Sequence, residues 1–274
     1  MSDNDKKSSN LPAIFTARDA KAKTSDELAI VAKTHALDPV LKKHGITSTV
    51  IDKFRSVADV SGSMNVYFDN GFVQIATELV ITLSHRLLKN ENAEVDCIGL
   101  GNVAKNIGKI TKNRYGSAAA LIRSQFENDE RGTLYLPAIK MAVGSGDISD
   151  VIYISFITDG EDEGNRNDFI NYVKSIKNKK VFVQFIGLGS EYDPRTGGTT
   201  GEFSTLIQLE KDCDYVGFFS MKNPKTTSED DVYDKMLYKF ATWAKINGII
   251  DIFSGAQSST PKVSDLRQKY LELG

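Results

Sequence analysis

Residues 151–160 read VIYISFITDG, eight residues rich in β-branched and aromatic side chains that stop at Thr158-Asp159-Gly160. Apolar side chains fall on both parities of that run, so both faces of the strand need cover, as in a parallel sheet. Working outward, VFVQFIGL at 181–188 is a second buried strand and 215–219 a last, shorter one. Upstream, 54–58 is a short apolar-leaning run that ends at Asp59, 94–100 alternates and then runs apolar, and 103–111 is a further strand. Helical periodicity fills the intervals. Residues 72–89 place Val73, Ala76, Leu79, Val80, Leu83 and Leu87 on one stripe, and 228–245 does the same with Val232, Met236, Phe240 and Trp243 behind a Ser228 cap. Shorter helices are expected at 117–126, 136–143, 168–177 and 203–210. Strands separated by helices predict an α/β fold in three layers, a mostly parallel central sheet with helices on both faces. Ligands of such folds sit beyond the carboxyl ends of the strands.

The flanks differ from this pattern. Residues 1–11 hold little to bury and read as a disordered tail. Thr24-Ser25-Asp26-Glu27 opens a helix with Ser25 or Asp26 as its cap, and a second short helix is expected from Asp38-Pro39 to Lys43 or His44, with Gly45 behind it. Residues 1–45 are therefore expected as a tail with a short helical extension, 46–250 as the main domain and 251–274 as a C-terminal tail, with a peripheral helix at 263–273. The glycine-rich 192–201, YDPRTGGTTG, reads as a surface loop and lacks the Gly-Lys-Ser/Thr ending of a phosphate loop.

The 274 residues are 41% hydrophobic and 26% charged, ordinary globular usage. Thirty-four basic residues against 36 acidic ones leave a formal charge of −2, which argues against a nucleic-acid partner. No apolar run approaches a membrane span, and the polar start has no signal-peptide core. Cys97 and Cys213 are too few for a disulfide framework and fit a reducing, cytoplasmic setting. Three scattered histidines make a Cys/His zinc site improbable.

Chemistry concentrates in hard oxygen groups. Asp59-Val60-Ser61-Gly62-Ser63 follows the first strand, and an Asp and two hydroxyls at alternate positions turn toward one point where the chain bends. Gly132-Thr133 precedes a helix, and Thr158-Asp159-Gly160 ends the most β-like strand. Two carboxylates, three hydroxyls and water suit Mg²⁺ or Mn²⁺ better than zinc. The neighbouring Glu161, Asp162 and Glu163 extend such a site or, the favoured reading, complement a helix N-terminus.

VADVSGSM, RGTLYLPAI and VIYISFITDGED together resemble a von Willebrand factor A (vWA) domain with a metal-ion-dependent adhesion site (MIDAS). VFVQFIGLG, CDYVGFFSM and VYDKMLYKFATWAKINGII are similar to the A-type domain of TerF-like tellurium-resistance proteins. The resemblance covers about residues 46–250 and implies a Rossmann-like vWA fold. It maps a metal site onto Asp59, Ser61, Ser63, Thr133 and Asp159. By that resemblance the ion is Mg²⁺, with Mn²⁺ or Ca²⁺ as alternatives, and one coordination position is left for an Asp or Glu carboxylate of a partner protein. A TerD-like protein is one candidate partner, and tellurium resistance, stress or phage defence the implied setting. The first strand departs from the pattern, since Arg55 and Ser56 precede Val57-Ala58.

Three functions follow. The first is a non-enzymatic, metal-dependent protein-binding module. The second is a Mg²⁺-dependent hydrolase or phosphotransferase with Ser61 or Asp59 as nucleophile, for which no base lies nearby in sequence. The third is a scaffold with a purely structural metal, in which the segment 28–37 docks a neighbour. Oligomeric state is not legible.

Overall fold

The computed structural model describes residues 19–22, 24–90, 94–126, 132–144, 149–160, 162–198 and 201–250. Six strands run β1 (Lys53–Asp59), β2 (Val95–Leu100), β3 (Ala104–Ile110), β4 (Ile152–Thr158), β5 (Val181–Leu188) and β6 (Val216–Met221). They form one sheet in the order β3-β2-β1-β4-β5-β6. Only the β2–β3 pair is antiparallel; β1, β2, β4, β5 and β6 all point the same way. The expected mixed, mostly parallel sheet is thus present.

Helices cover both faces. α1 (Ser25–Lys43), α3 (Phe72–Leu87) and α8 (Glu229–Ile246) pack together on one side. Their face of the sheet carries Phe54, stacked on Tyr153, and the Tyr153 and Phe182 rings meet Phe240 and Trp243 of α8. α5 (Tyr135–Val143), α6 (Arg166–Ser175) and α7 (Ser204–Asp212) cover the other side. There Tyr135 and Phe169 pack edge-on around Phe156 and Phe185. The long stripe of α8 is core as expected, with Tyr238 on its outer face. Two short helices, α2 (Asn65–Asp69) and α4 (Ala118–Arg123), complete the described elements, the latter after a 3₁₀ segment at Lys112–Ser117.

Four expectations change. The two short N-terminal helices are a single helix, α1, which runs through Pro39. Its continuity is set by tertiary contacts. Asp38 is buried against Arg86, and Val40 and Leu41 join the core, which outweighs the one hydrogen bond that proline withholds. Its cap is Thr24, not Ser25 or Asp26. The Thr24 hydroxyl accepts from Glu27 N–H at 3.2 Å, and Thr24 N–H donates to the Glu27 carboxylate at 3.0 Å, a reciprocal capping box. With Ile30, Leu37, Val40 and Leu41 in the main core, α1 is an integral part of the domain, and the face expected to dock a neighbour is already used. The loop at 192–201 is also less free than its composition suggests. Tyr192 is buried and bridges Ser220, and Arg195 bonds Asp231 and Asp193. The expected tails at 1–11 and 251–274, with the helix at 263–273, lie outside the described residues.

The charged Arg55 of β1 finds a use. Arg55 Nη1 donates to the Val143 carbonyl at 2.9 Å and also to that of Ala142, satisfying carbonyls that the end of α5 leaves open. Both cysteines are free and buried.

Candidate metal centre

The carboxyl ends of β1 and β4 lie side by side, with Ala58 paired to Ile157. That pairing carries Asp59 and Thr158 to the same level, where each chain leaves the sheet. Asp59 is fully buried. Its Oδ1 accepts from Ser61 N–H at 2.8 Å, which folds the loop back over the strand end. Its Oδ2 accepts from the Thr158 hydroxyl at 2.8 Å. The Ser61 and Ser63 hydroxyls lie 3.1 Å apart, and Ser63 Oγ donates to Asp159 Oδ1 at 3.0 Å. Four of the five expected residues are therefore joined through direct hydrogen bonds, although Asp59 and Asp159 are a hundred residues apart in the chain.

Thr133, the fifth, is buried on the loop that leads into α5. Thr133 N–H donates to Glu163 Oε2 at 3.2 Å, and the Glu163 N–H returns to the Thr133 carbonyl at 2.9 Å. Leu134 N–H donates to the Gly101 carbonyl, which ties the same loop to the end of β2. Gly132 admits this close approach, since a Cβ there would lie 1.8 Å from Asn102 Oδ1.

The acidic run after Asp159 does what dipole chemistry suggests, but on a different helix. Asp162 Oδ1 accepts from Tyr135 N–H at 2.9 Å, so it caps α5 across the loop and not the α6 that follows it. α6 has its own cap in Asn165. Glu161 lies outside the described residues.

Electrostatics mark the centre as short of positive charge. Burial pushes the Asp59 carboxyl up from 3.8 to about 7, and nearby Asp159 adds to the effect against the hydrogen bonds that oppose it. Burial likewise raises Asp159, with Glu202 adding to it. Neither carboxylate forms an ion pair among the described residues, unlike the buried Asp38, which is neutralised by Arg86. A buried and a half-buried carboxylate that converge with serine hydroxyls and lack a cation fit a hard divalent ion, which needs oxygen donors and negative charge. Among the described residues no group of three or more His, Cys, Asp or Glu could hold a metal ion.

Sequence reasoning missed the layer behind these groups. The Tyr135 hydroxyl lies 2.8 Å from Thr158 Oγ1 and also donates to the Gly160 carbonyl. A single fully buried tyrosine, two residues beyond Thr133, thereby clamps the Thr133 loop, the 158–160 turn and Asp59 together. The only sequence signal was a tyrosine hydroxyl in an otherwise apolar helix start, which a buried position obliges to find a partner.

This chain is similar to several known proteins. Uncharacterized protein YcbR of Bacillus subtilis (strain 168) is 23% identical over 224 residues, 77% of this chain and 86% of that protein. The von Willebrand factor type A structure from Catenulispora acidiphila aligns at TM-score 0.47 and 16% identity over 69% of this chain, which spans only 42% of that one. The conserved hypothetical protein BatB from Bacteroides thetaiotaomicron aligns at TM-score 0.47 and 18% identity, over 69% of this chain and 98% of its own. No described helix is long and apolar enough to cross a membrane. The model of the vWA-TerF-like family, described as the vWA found in the TerF C terminus, matches residues 52–250. On that match, over most of its length, the chain belongs to the vWA-TerF-like family.

Proposed function

We propose that this protein is a metal-dependent protein-binding module in which Mg²⁺, at a MIDAS-type centre, captures a carboxylate from a partner. Asp59, Ser61, Ser63, Thr133 and Asp159 would hold the ion. The observation that carries the reading is the convergence of Asp59, Ser61, Ser63 and Asp159 at one strand edge, with both carboxylates lacking a cation. When bound, the ion supplies a Lewis-acidic position for a carboxylate oxygen. Mn²⁺ or Ca²⁺ would serve the same oxygen donors.

The chain's own residues do the rest. Ser61 N–H and the Thr158 hydroxyl fix the Asp59 carboxylate from behind, so its orientation is set before any ion arrives. Ser63 orients Asp159. Glu163 and Asp162 hold the Thr133 loop and the start of α5. We place the module in the cytoplasm and in a tellurium-resistance, stress or phage-defence system, with a TerD-like protein as one candidate supplier of the Asp or Glu. The test is a pull-down from native lysate in Mg²⁺ and in EDTA, with wild type and Asp59→Ala. A partner held only by the wild type in Mg²⁺ is expected. A partner retained equally in EDTA and by the variant refutes carboxylate capture.

A further inference from the structure

We propose that Tyr67 is a second ligand-recognition residue of this centre, its hydroxyl donating a hydrogen bond to the carboxylate that the metal captures. The inference rests on the carboxylate-capture reading above and adds a residue that the motif does not contain. α2 begins two residues after Ser63, so Tyr67 is carried by the same loop that bends around Asp59. Its ring is half-buried and tilts against Phe72, with centroids 6.2 Å apart, which fixes its direction. The phenol end reaches across to Gly189, just past β5. A Cβ at Gly189 would lie 2.2 Å from the Tyr67 hydroxyl oxygen, and the φ of +104° there suits glycine. Gly189 is itself held by its N–H bond to the Met221 carbonyl at 3.0 Å. β5 neighbours β4, with Thr158 paired to Gly187, so Gly189 stands beside the Asp159-Gly160 turn.

That register brings the hydroxyl to the edge of the sheet at which Asp159 stands. A phenol keeps its proton at neutral pH. Among the described residues no group accepts from it. Tyr135, the other phenol at the centre, has committed partners in Thr158 and Gly160. A protonated donor, held rigidly next to a carboxylate-binding metal and lacking an acceptor, is matched by the second oxygen of a carboxylate. A neutral oxygen ligand or a halide offers less to such a donor.

Acetate is the probe. The full chain, loaded with Mg²⁺, is titrated with acetate and followed by ¹H–¹⁵N NMR, for wild type and Tyr67→Phe; Mg²⁺ affinity is measured separately by calorimetry. Phenylalanine keeps the packing on Phe72 and removes only the hydroxyl. Acetate affinity is expected to fall about tenfold, the low end for a hydrogen bond to a charged group, while Mg²⁺ affinity and Tm stay unchanged. An unchanged acetate affinity in Tyr67→Phe overturns the proposal and leaves carboxylate capture standing. A parallel loss of Mg²⁺ affinity also overturns it, because Tyr67 would then support the metal and not the ligand. If the wild type binds no acetate in Mg²⁺, the capture reading falls and this proposal with it.

Discussion

Asp59→Asn should make the metal-free protein more stable at about pH 8 and remove its response to magnesium. In the folded chain burial lifts the Asp59 carboxyl from 3.8 to about 7. Between those values the folded state holds a proton that the unfolded state has released. Stability therefore falls as pH rises through that window and levels off above the folded value. Three pH units at about 1.4 kcal/mol each give a penalty of about 4 kcal/mol for the ionised group. No solvent discount applies, because Asp59 has no exposed surface. Asparagine keeps an acceptor for Ser61 N–H but meets Thr158 Oγ1 with a donor, so the Thr158 proton must turn elsewhere, at a cost of about 1 kcal/mol. The net gain for the variant is about 3 kcal/mol at about pH 8 and passes through zero to a loss of about 1 kcal/mol as pH falls to about 4. Urea denaturation in EDTA at the two pH values measures it. Magnesium should close the gap: at a hundredfold excess over its dissociation constant it adds about 2.7 kcal/mol to the wild type and nothing to the variant, and at a thousandfold excess, about 4.1 kcal/mol, it reverses the order. A variant less stable than wild type at about pH 8 in EDTA, or equal stabilisation of both by magnesium, would refute the reasoning.

Two further outcomes follow from the same structure. Tyr135→Phe keeps the rings packed on Phe156 and Phe169 but loosens the clamp on Thr158 and Gly160; calorimetry should show Mg²⁺ affinity reduced about fivefold to tenfold, in line with about 1 kcal/mol for a buried hydrogen bond, and unaltered affinity would show that the clamp has no part in the centre. Arg86→Met strips the fully buried guanidinium from Asp38, at 2.8 Å, and from Asp19, at 2.7 Å, and should cost about 3–5 kcal/mol in chemical denaturation, with a loss below about 1 kcal/mol as the contrary result. The same pair gives a pH signature of opposite sign to Asp59. Burial works against the Asp19 charge, but His85 and Arg86 hold its carboxyl down to about 2, so its contribution is present above the ordinary 3.8 and is lost as pH falls toward that lower value.

The fold was legible because its strands are buried on both faces, and such strands write themselves as unbroken apolar runs. Ile152–Thr158 and Val181–Leu188 needed no partner information to be read. The N-terminal helix was not legible in the same way. Asp38-Pro39 is locally a break, and only Arg86, 48 residues away, converts Asp38 into a buried anchor that carries the helix onward. Arg55 in β1 is the same case: a charge in a central strand looks like a flaw until the carbonyls at the end of α5 are seen beside it. Long-range polar pairing leaves no periodic trace in a sequence, so these features had to come from the structure.

The candidate centre divides along the same line. Its front layer was legible because Asp59, Ser61 and Ser63 sit at a fixed spacing after a strand, and because Asp159 ends the strand that pairs with the first one. Parallel neighbours must deliver their carboxyl ends to the same edge, so two short motifs a hundred residues apart become one site by topology alone. The back layer has no such rule behind it. Thr158 reads as a strand residue and Tyr135 as a core aromatic, yet together they set the orientation of the one carboxylate that is wholly buried. A metal centre whose front oxygens are hydroxyls and exchangeable waters binds its ion only as well as its buried carboxylate is held. Differences in metal affinity among chains with identical front motifs should therefore follow the residues at the positions of Thr158 and Tyr135, more than any change among the exposed acidic residues around them.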